Sequence, residues 1–312
     1  MLEQQPGNNH SSNPVRPHLG LVCITASDRV RFRTITRTRY LKLGEAEKRA
    51  TLRDIYSDNL RRLDGAVAFC QRQGIRLYRI SSALFPMSDL PGDETGGQVL
   101  EELRPQMAAI GNHIAEVGLR VVMHPDQFVV LNSESAQIVQ TSIRVMERHA
   151  GVLDMLGLPR TAWTAMTLHG GKGGRSDQLV ETIGTLPANI RNRLTLENDE
   201  RAYGAADILD ICRRAGVPMV FDVHHHICHD GLTSLEDPSI GEYLQAARET
   251  WPDPAWQLVH LSNGRDAFAD PAHHDFITSV PSAYRQVPWI EVEAKAKEQA
   301  IDRLRIDWPL AD

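Results

Sequence analysis

The chain lacks most of the features that classify a protein at first sight. Its 312 residues hold four cysteines, Cys23, Cys70, Cys212 and Cys228, with no CxxC pair among them. That scatter argues against a zinc ribbon or a disulfide framework and fits a reducing cytoplasm. No apolar run approaches the about 20 residues needed to span a bilayer, so no membrane segment is expected. The polar start MLEQQPGNNHSSNPVRP has no apolar core of the kind a secretory signal carries, and residues 1–17 read as a disordered tail. There is no internal repeat and no domain-splitting linker, and no GxGxxG follows the first apolar run, which removes the usual dinucleotide-binding marker. Positive charge is also in deficit: 34 Lys and Arg stand against 40 Asp and Glu, a net charge of −6. This argues against a basic nucleic-acid footprint, unless the acids sit on metal ions and the bases are concentrated elsewhere.

What the chain does have is alternation. Short apolar runs lie at 19–25, 75–81, 119–124, 165–169, 194–197, 218–223, 257–262 and 289–294. Longer amphipathic stretches separate them, such as 52–74 and 204–216, which end in the helix-stopping Gly74 and Gly216. Continuous apolar runs suit strands buried on both faces, and strand–helix alternation implies parallel pairing. Eight such units are what an α/β fold of the TIM (β/α)8 type requires, so a single barrel domain over 18–312 is expected. A doubly wound sheet is the rival; polar residues at nearly every strand end favour the barrel.

Those strand ends carry the chemistry. The third run ends in His124, the fourth in His169 and the fifth in Glu197. The sixth delivers Asp222 and then His225, the seventh carries His260 and the eighth Glu293, while the loop after the seventh adds His274. In a barrel these side chains converge on one mouth. One such histidine means little, but three carboxylates packed together repel one another and are costly to bury unless cations compensate them. The donors are oxygen and nitrogen only, which fits Mn²⁺, Mg²⁺, Fe²⁺ or catalytic Zn²⁺ rather than structural zinc. Eight donors exceed the needs of one ion, so two or three ions are expected, with Glu197 and Glu293 as bridging candidates. Clustered divalent ions suit phosphodiester cleavage. Within FDVHHHICHD (221–230), an extended backbone sends Asp222 and His224 to one side and His225 to the other, so spacing alone does not decide which of His224, His225 and His226 binds. His229 and His273 read as exposed loop residues.

Two further stretches point to an anionic partner. RVRFRTITRTRYLK (29–42) carries Arg29, Arg31, Arg33, Arg37, Arg39 and Lys42 and no acid. It reads as a phosphate-contacting arm on the barrel's top face, against the plainer reading of a solvated loop. HGGKGGR (169–175) offers close backbone approach and the cations Lys172 and Arg175, although it lacks the P-loop spacing. In MHPDQFVV (123–130), the pair Gln127–Phe128 places an aromatic just past His124, where it could enter a base stack or simply pack a loop.

MHPDQFVV, LHGGKGG, LENDER, FDVHHH, VHLS, HHDFI and EVEAKAKE occur in one order from about residue 19 to about residue 300, and together they resemble the UV damage endonuclease family. The resemblance implies a metal-dependent barrel endonuclease that favours Mn²⁺, with Mg²⁺, Co²⁺ or Zn²⁺ as alternatives. It implies incision of double-stranded DNA immediately 5′ to cyclobutane pyrimidine dimers or 6-4 photoproducts. It places metal ligands on His124, His169, Glu197, Asp222, His225, His260, His274 and Glu293, choosing His225 from the triple, with Glu197, Glu293, His124 and His260 at the chemistry. The family's lesion-probing pair falls on Gln127 and Phe128. Apart from the resemblance, Lys295 reads as a further phosphate contact, against the plainer reading of a surface lysine flanking the last helix. Where members often carry Tyr and Asn in the first strand, this chain has Leu21 and Thr25. Phe128 stands for the common Tyr, and Leu258 stands where some members carry a modified lysine. A monomer is expected. The rival functions are a two-metal sugar isomerase or epimerase on the same barrel, which leaves the arginine arm idle, and a non-catalytic DNA-binding module with structural metal.

Overall fold

In the computed structural model, which describes residues 17–126 and 128–308, each of the eight apolar runs matches one strand, the first of which begins one residue before its run. They are β1 (His18–Val22), β2 (Leu77–Ile80), β3 (Arg120–Met123), β4 (Met166–His169), β5 (Leu194–Glu197), β6 (Met219–Asp222), β7 (Leu258–Leu261) and β8 (Trp289–Val292). Neighbours pair in parallel and β1 pairs with β8, which closes a TIM-type barrel. The tail expected over 1–17 lies, apart from Pro17, outside the described residues, as does Gln127. No described helix is long and apolar enough to cross a membrane.

Strand alternation sorts the runs into two sets. Leu77, Val122, Val220, Leu258 and Trp289 form an apolar cluster inside the barrel. Their neighbours Tyr78, Val121, Phe221, Val259 and Ile290 belong to the outer core beneath the helices. Period-two geometry therefore sets Arg79, His124, His260, Glu291 and, past the strand's end, Glu293 on the inner side, above the apolar layer. Gly20 is needed here for a steric reason: a Cβ would lie 2.6 Å from the Leu77 side chain. Leu258 lies two residues below His260 and fills the inner layer.

The opposite end of the barrel is closed by an arginine. Arg120 is fully buried and donates to the carbonyls of Trp163 (2.9 Å), Trp256 (2.9 Å) and Ala162 (3.4 Å). Its guanidinium lies 4.6 Å from the Trp163 ring and 5.2 Å from that of Trp289. Cutting it away strands these carbonyls in a dry interior, where each unmet group costs about 1–3 kcal/mol. Arg120→Leu is thus expected to lower unfolding free energy by about 3 kcal/mol or more, read by denaturant titration. Unchanged stability would remove Arg120 from the account of the closed end.

The helices follow local signals. Helix Glu45–Arg72 begins earlier than the expected residue 52, because Glu47 accepts from the Gly44 N–H at 2.9 Å and closes the first turn. Gly74, at φ 61°, ends it as anticipated.

Candidate metal centre

The centre is assembled around Glu197, the last residue of β5. Its carboxylate is buried and meets histidines from four other places in the chain. His124 Nε2 lies 3.0 Å and His169 Nε2 3.8 Å from Oε2. On Oε1 stand His260 Nδ1 at 2.9 Å and His225 Nδ1 at 3.3 Å. His260 Nδ1 also lies 3.4 Å from Glu293 and 4.0 Å from Asp222. Three overlapping donor groups result: His124–His169–Glu197, Glu197–Asp222–His225 and Asp222–His260–Glu293, each with donor atoms within 4.8 Å of one another. His124, His169, Glu197, His225 and Glu293 line a cavity of about 390 Å³ at the C-terminal ends of the strands, while Asp222 and His260 are fully buried.

Helix formation, not strand alternation, brings His225 to Asp222. The chain leaves β6 at Asp222, whose carboxylate caps helix Val223–Asp230 by accepting from the His225 N–H at 2.8 Å. One helical turn then puts Asp222 and His225 on the same side, so the extended-backbone expectation does not apply here. His224 and His226 turn into the packing, toward Asp270 O (2.9 Å) and Ser239 Oγ (2.9 Å) respectively.

Electrostatics explains how so many buried acids coexist. Burial opposes charge on His260, but Glu197, Glu293 and Glu291 outweigh it and hold the imidazole well above its ordinary pKa. Burial is likewise overcome at His225 by Asp222 and Glu197. Glu197 is held well below the usual carboxylate range against burial, chiefly by His260 and His169. Glu293 is lowered, again against burial, by Arg79 and His260. His169 is pushed down, by burial. In the protein by itself, protons and Arg79 thus supply the positive charge. Two atoms of the donor groups, Asp222 Oδ2 and His169 Nδ1, are among the buried side-chain atoms of the described residues that lack a hydrogen-bond partner. Asp222 belongs to two of the three donor groups, and an open carboxylate oxygen there fits a divalent cation, which would satisfy it.

Several placements differ from the sequence expectations. His274 is turned away, its Nδ1 accepting from the Phe276 N–H at 3.0 Å. His273 occupies the mouth instead, with its ring 6.3 Å from that of His225 and Nδ1 3.9 Å from Glu293 Oε2. Glu291 and Arg79 are additional members. Glu291 accepts from His260 Nε2 at 2.6 Å, and Arg79 pairs with both Glu293 and Glu291. The alternation of Glu291 with Glu293 in WIEVEA, and the second of the two arginines in IRLYRIS, were the available signals.

The basic arm is partly neutralised. Arg31 pairs with Asp28 and Arg33 with Asp54 (2.8 Å), leaving Arg29, Arg37, Arg39 and Lys42 exposed and without ion pairs among the described residues. Buried Asn59 anchors it, accepting from Arg33 N at 2.7 Å and donating to Arg33 O at 2.9 Å. The glycine loop's amides are not all open to a phosphate, because Lys172 N donates to Asn132 (2.8 Å) and Arg175 N to Tyr203 (2.9 Å). The Lys172 side chain itself is exposed and lines a second cavity of about 330 Å³ that shares His124 and His169 with the centre. Phe128 is 60% exposed on the loop after β3. Lys295 is exposed on the segment after β8.

Comparison with known proteins gives consistent matches. A family model described as UV-endonuclease UvdE matches residues 17–311. The UV DNA damage endonuclease of Nostoc sp. (strain PCC 7120) is 55% identical over 98% of this chain and 95% of its own length. That of Deinococcus radiodurans is 53% identical over 94% and 96%. The crystal structure of SacUVDE superimposes with a TM-score of 0.78 at 27% identity, covering 93% of this chain and 99% of that one.

Proposed function

Because the chain belongs to the UV-endonuclease UvdE family, we propose that it incises double-stranded DNA immediately 5′ to UV photoproducts, cyclobutane pyrimidine dimers and 6-4 photoproducts, leaving a 3′-hydroxyl and a 5′-phosphate. The observation that carries this reading is the buried Glu197 carboxylate ringed by four histidines, with Asp222 Oδ2 left open beside it. His124, His169, Glu197, Asp222, His225, His260 and Glu293 would hold two or three divalent ions, Mn²⁺ foremost, with His273 in the role the resemblance gave to His274. Such ions, when bound, supply Lewis-acid activation of water and neutralise charge on the phosphodiester and its leaving oxygen.

The chain's own residues do the rest. Arg29, Arg37, Arg39 and Lys172 hold the DNA backbone, which fixes position without reading sequence. Gln127 and Phe128 enter the duplex at the lesion, where weak stacking lowers the cost of bending. Turning four of the 40 acids, Glu197, Asp222, Glu291 and Glu293, into the barrel narrows the acidic excess over the 34 bases, and the cations of the arm supply the local positive charge.

Incubating the protein and Mn²⁺ with irradiated and untreated supercoiled plasmid tests the proposal. Nicking confined to irradiated DNA, with cuts mapping 5′ to pyrimidine pairs, is expected. Equal nicking of both substrates, or none, refutes it. Arg37→Ala should weaken binding across all DNA sequences and reduce the slope of log affinity against log salt by about 1, with the rate from the bound state unchanged. An unaltered salt slope would remove the arm from the interface.

A further inference from the structure

One cation at the mouth has no task in the scheme above. Lys297 follows β8 and caps helix Glu298–Asp307 with its backbone at φ 52°, ψ −119°. That conformation suits glycine and strains any residue with a side chain. The turn is held from both sides. Glu298 accepts from Ala26 N (2.7 Å) and Ser27 N (2.9 Å), which ties the loop after β1 to the start of the last helix. As a consequence the Lys297 side chain lines, with Arg79 and Glu293, a cavity of about 480 Å³ on the flank of the metal centre. Its ammonium is half-buried and makes no hydrogen bond or ion pair among the described residues. Burial lowers the ammonium from its ordinary pKa, with Arg79 acting in the same direction.

The other cation in that cavity wall nearest the carboxylates is already committed, since Arg79 pairs with Glu291 and Glu293. Lys295 in the same wall is exposed, whereas Lys297 is a half-buried, unspent positive charge beside a proposed metal ligand, and a strained backbone that a glycine would relieve holds it there. We infer that Lys297 contacts a phosphate of the DNA strand seated in the mouth, on the Glu293 side of the cleaved bond. This inference rests on the function proposed above. A lysine suits the task as a compact point charge that can follow the phosphate as the duplex bends.

The test uses the full chain with Lys297→Met, Lys297→Arg and Lys297→Gly. Single-turnover incision of an irradiated duplex is measured with Mn²⁺, and binding of the same duplex is measured across a salt series with chelator. Lys297→Met is expected to lower incision about tenfold or more and to cut the salt slope by about 1, while Lys297→Arg keeps most of both. Lys297→Gly should melt at a higher temperature than the wild type and still lose rate, as expected of strain kept for function. A Lys297→Met protein with wild-type rate and wild-type salt slope overturns the inference and leaves the proposed function standing. A wild type that binds irradiated DNA without cutting it refutes the proposed function, and the salt slopes then decide the inference alone. A wild type that neither binds nor cuts overturns both.

Discussion

Glu197→Gln is expected to reduce incision of irradiated DNA by more than about 100-fold while the barrel stays folded. Losing a group that merely orients a metal ligand costs about 10–100-fold, and Glu197 is proposed as a ligand itself, at the centre of all the contacts. The amide keeps the volume and removes the charge that His124, His169, His225 and His260 face. It also turns an N–H toward at least one of those rings. The change should be visible before any DNA is added: calorimetric titration with Mn²⁺ should show weaker binding and fewer ions per chain. Near-normal incision together with full Mn²⁺ stoichiometry would mean that Glu197 holds no cation.

Removing metal should have an effect as large. Incision is expected to fall to background in chelator and to return on adding Mn²⁺. The protein's stability should respond as well, because a ligand at about 100 times its Kd adds about 2.7 kcal/mol to a folded state that alone binds it. A rise of several degrees in Tm on loading would report this. The sign of the pH dependence follows from the imidazoles. His260 and His225 hold protons well above the ordinary histidine value, and a cation taking their place must displace them. Mn²⁺ affinity should therefore rise as pH goes from about 6 to about 8. Affinity that falls or stays flat over that interval, or a Tm indifferent to metal, would contradict the assignment.

The barrel was legible because its strands are buried on both faces and so read as uninterrupted apolar runs. Six of the side chains grouped there, His124, His169, Glu197, Asp222, His260 and Glu293, were legible for a related reason: they lie at or near the C-terminal ends of those runs, and strand ends share one mouth; His225 came from the family resemblance alone. Where the backbone leaves regular geometry, that reasoning weakens. Alternation misdirects the histidine triple because Asp222 ends a strand and caps a helix at once. The loop carrying His273 and His274 is irregular, pinned by a bridge between Gly264 and His273, and no periodicity states which ring turns inward. Arg79 and Glu291 were hidden for the opposite reason, being charged residues inside strands where apolar ones are expected. The arm's charge was overcounted, since Asp28 and Asp54 lie outside the run that displays the arginines.

The central claim is that the mouth of this barrel is a divalent-cation site. The most direct measurement is anomalous diffraction at the manganese edge from crystals grown with Mn²⁺. The account predicts at least two peaks in the cavity between Glu197 and Glu293, with one of them against Asp222 Oδ2. A Mn²⁺-saturated crystal with no peak there, and with His260 still bridging Glu197 and Glu291, would contradict it.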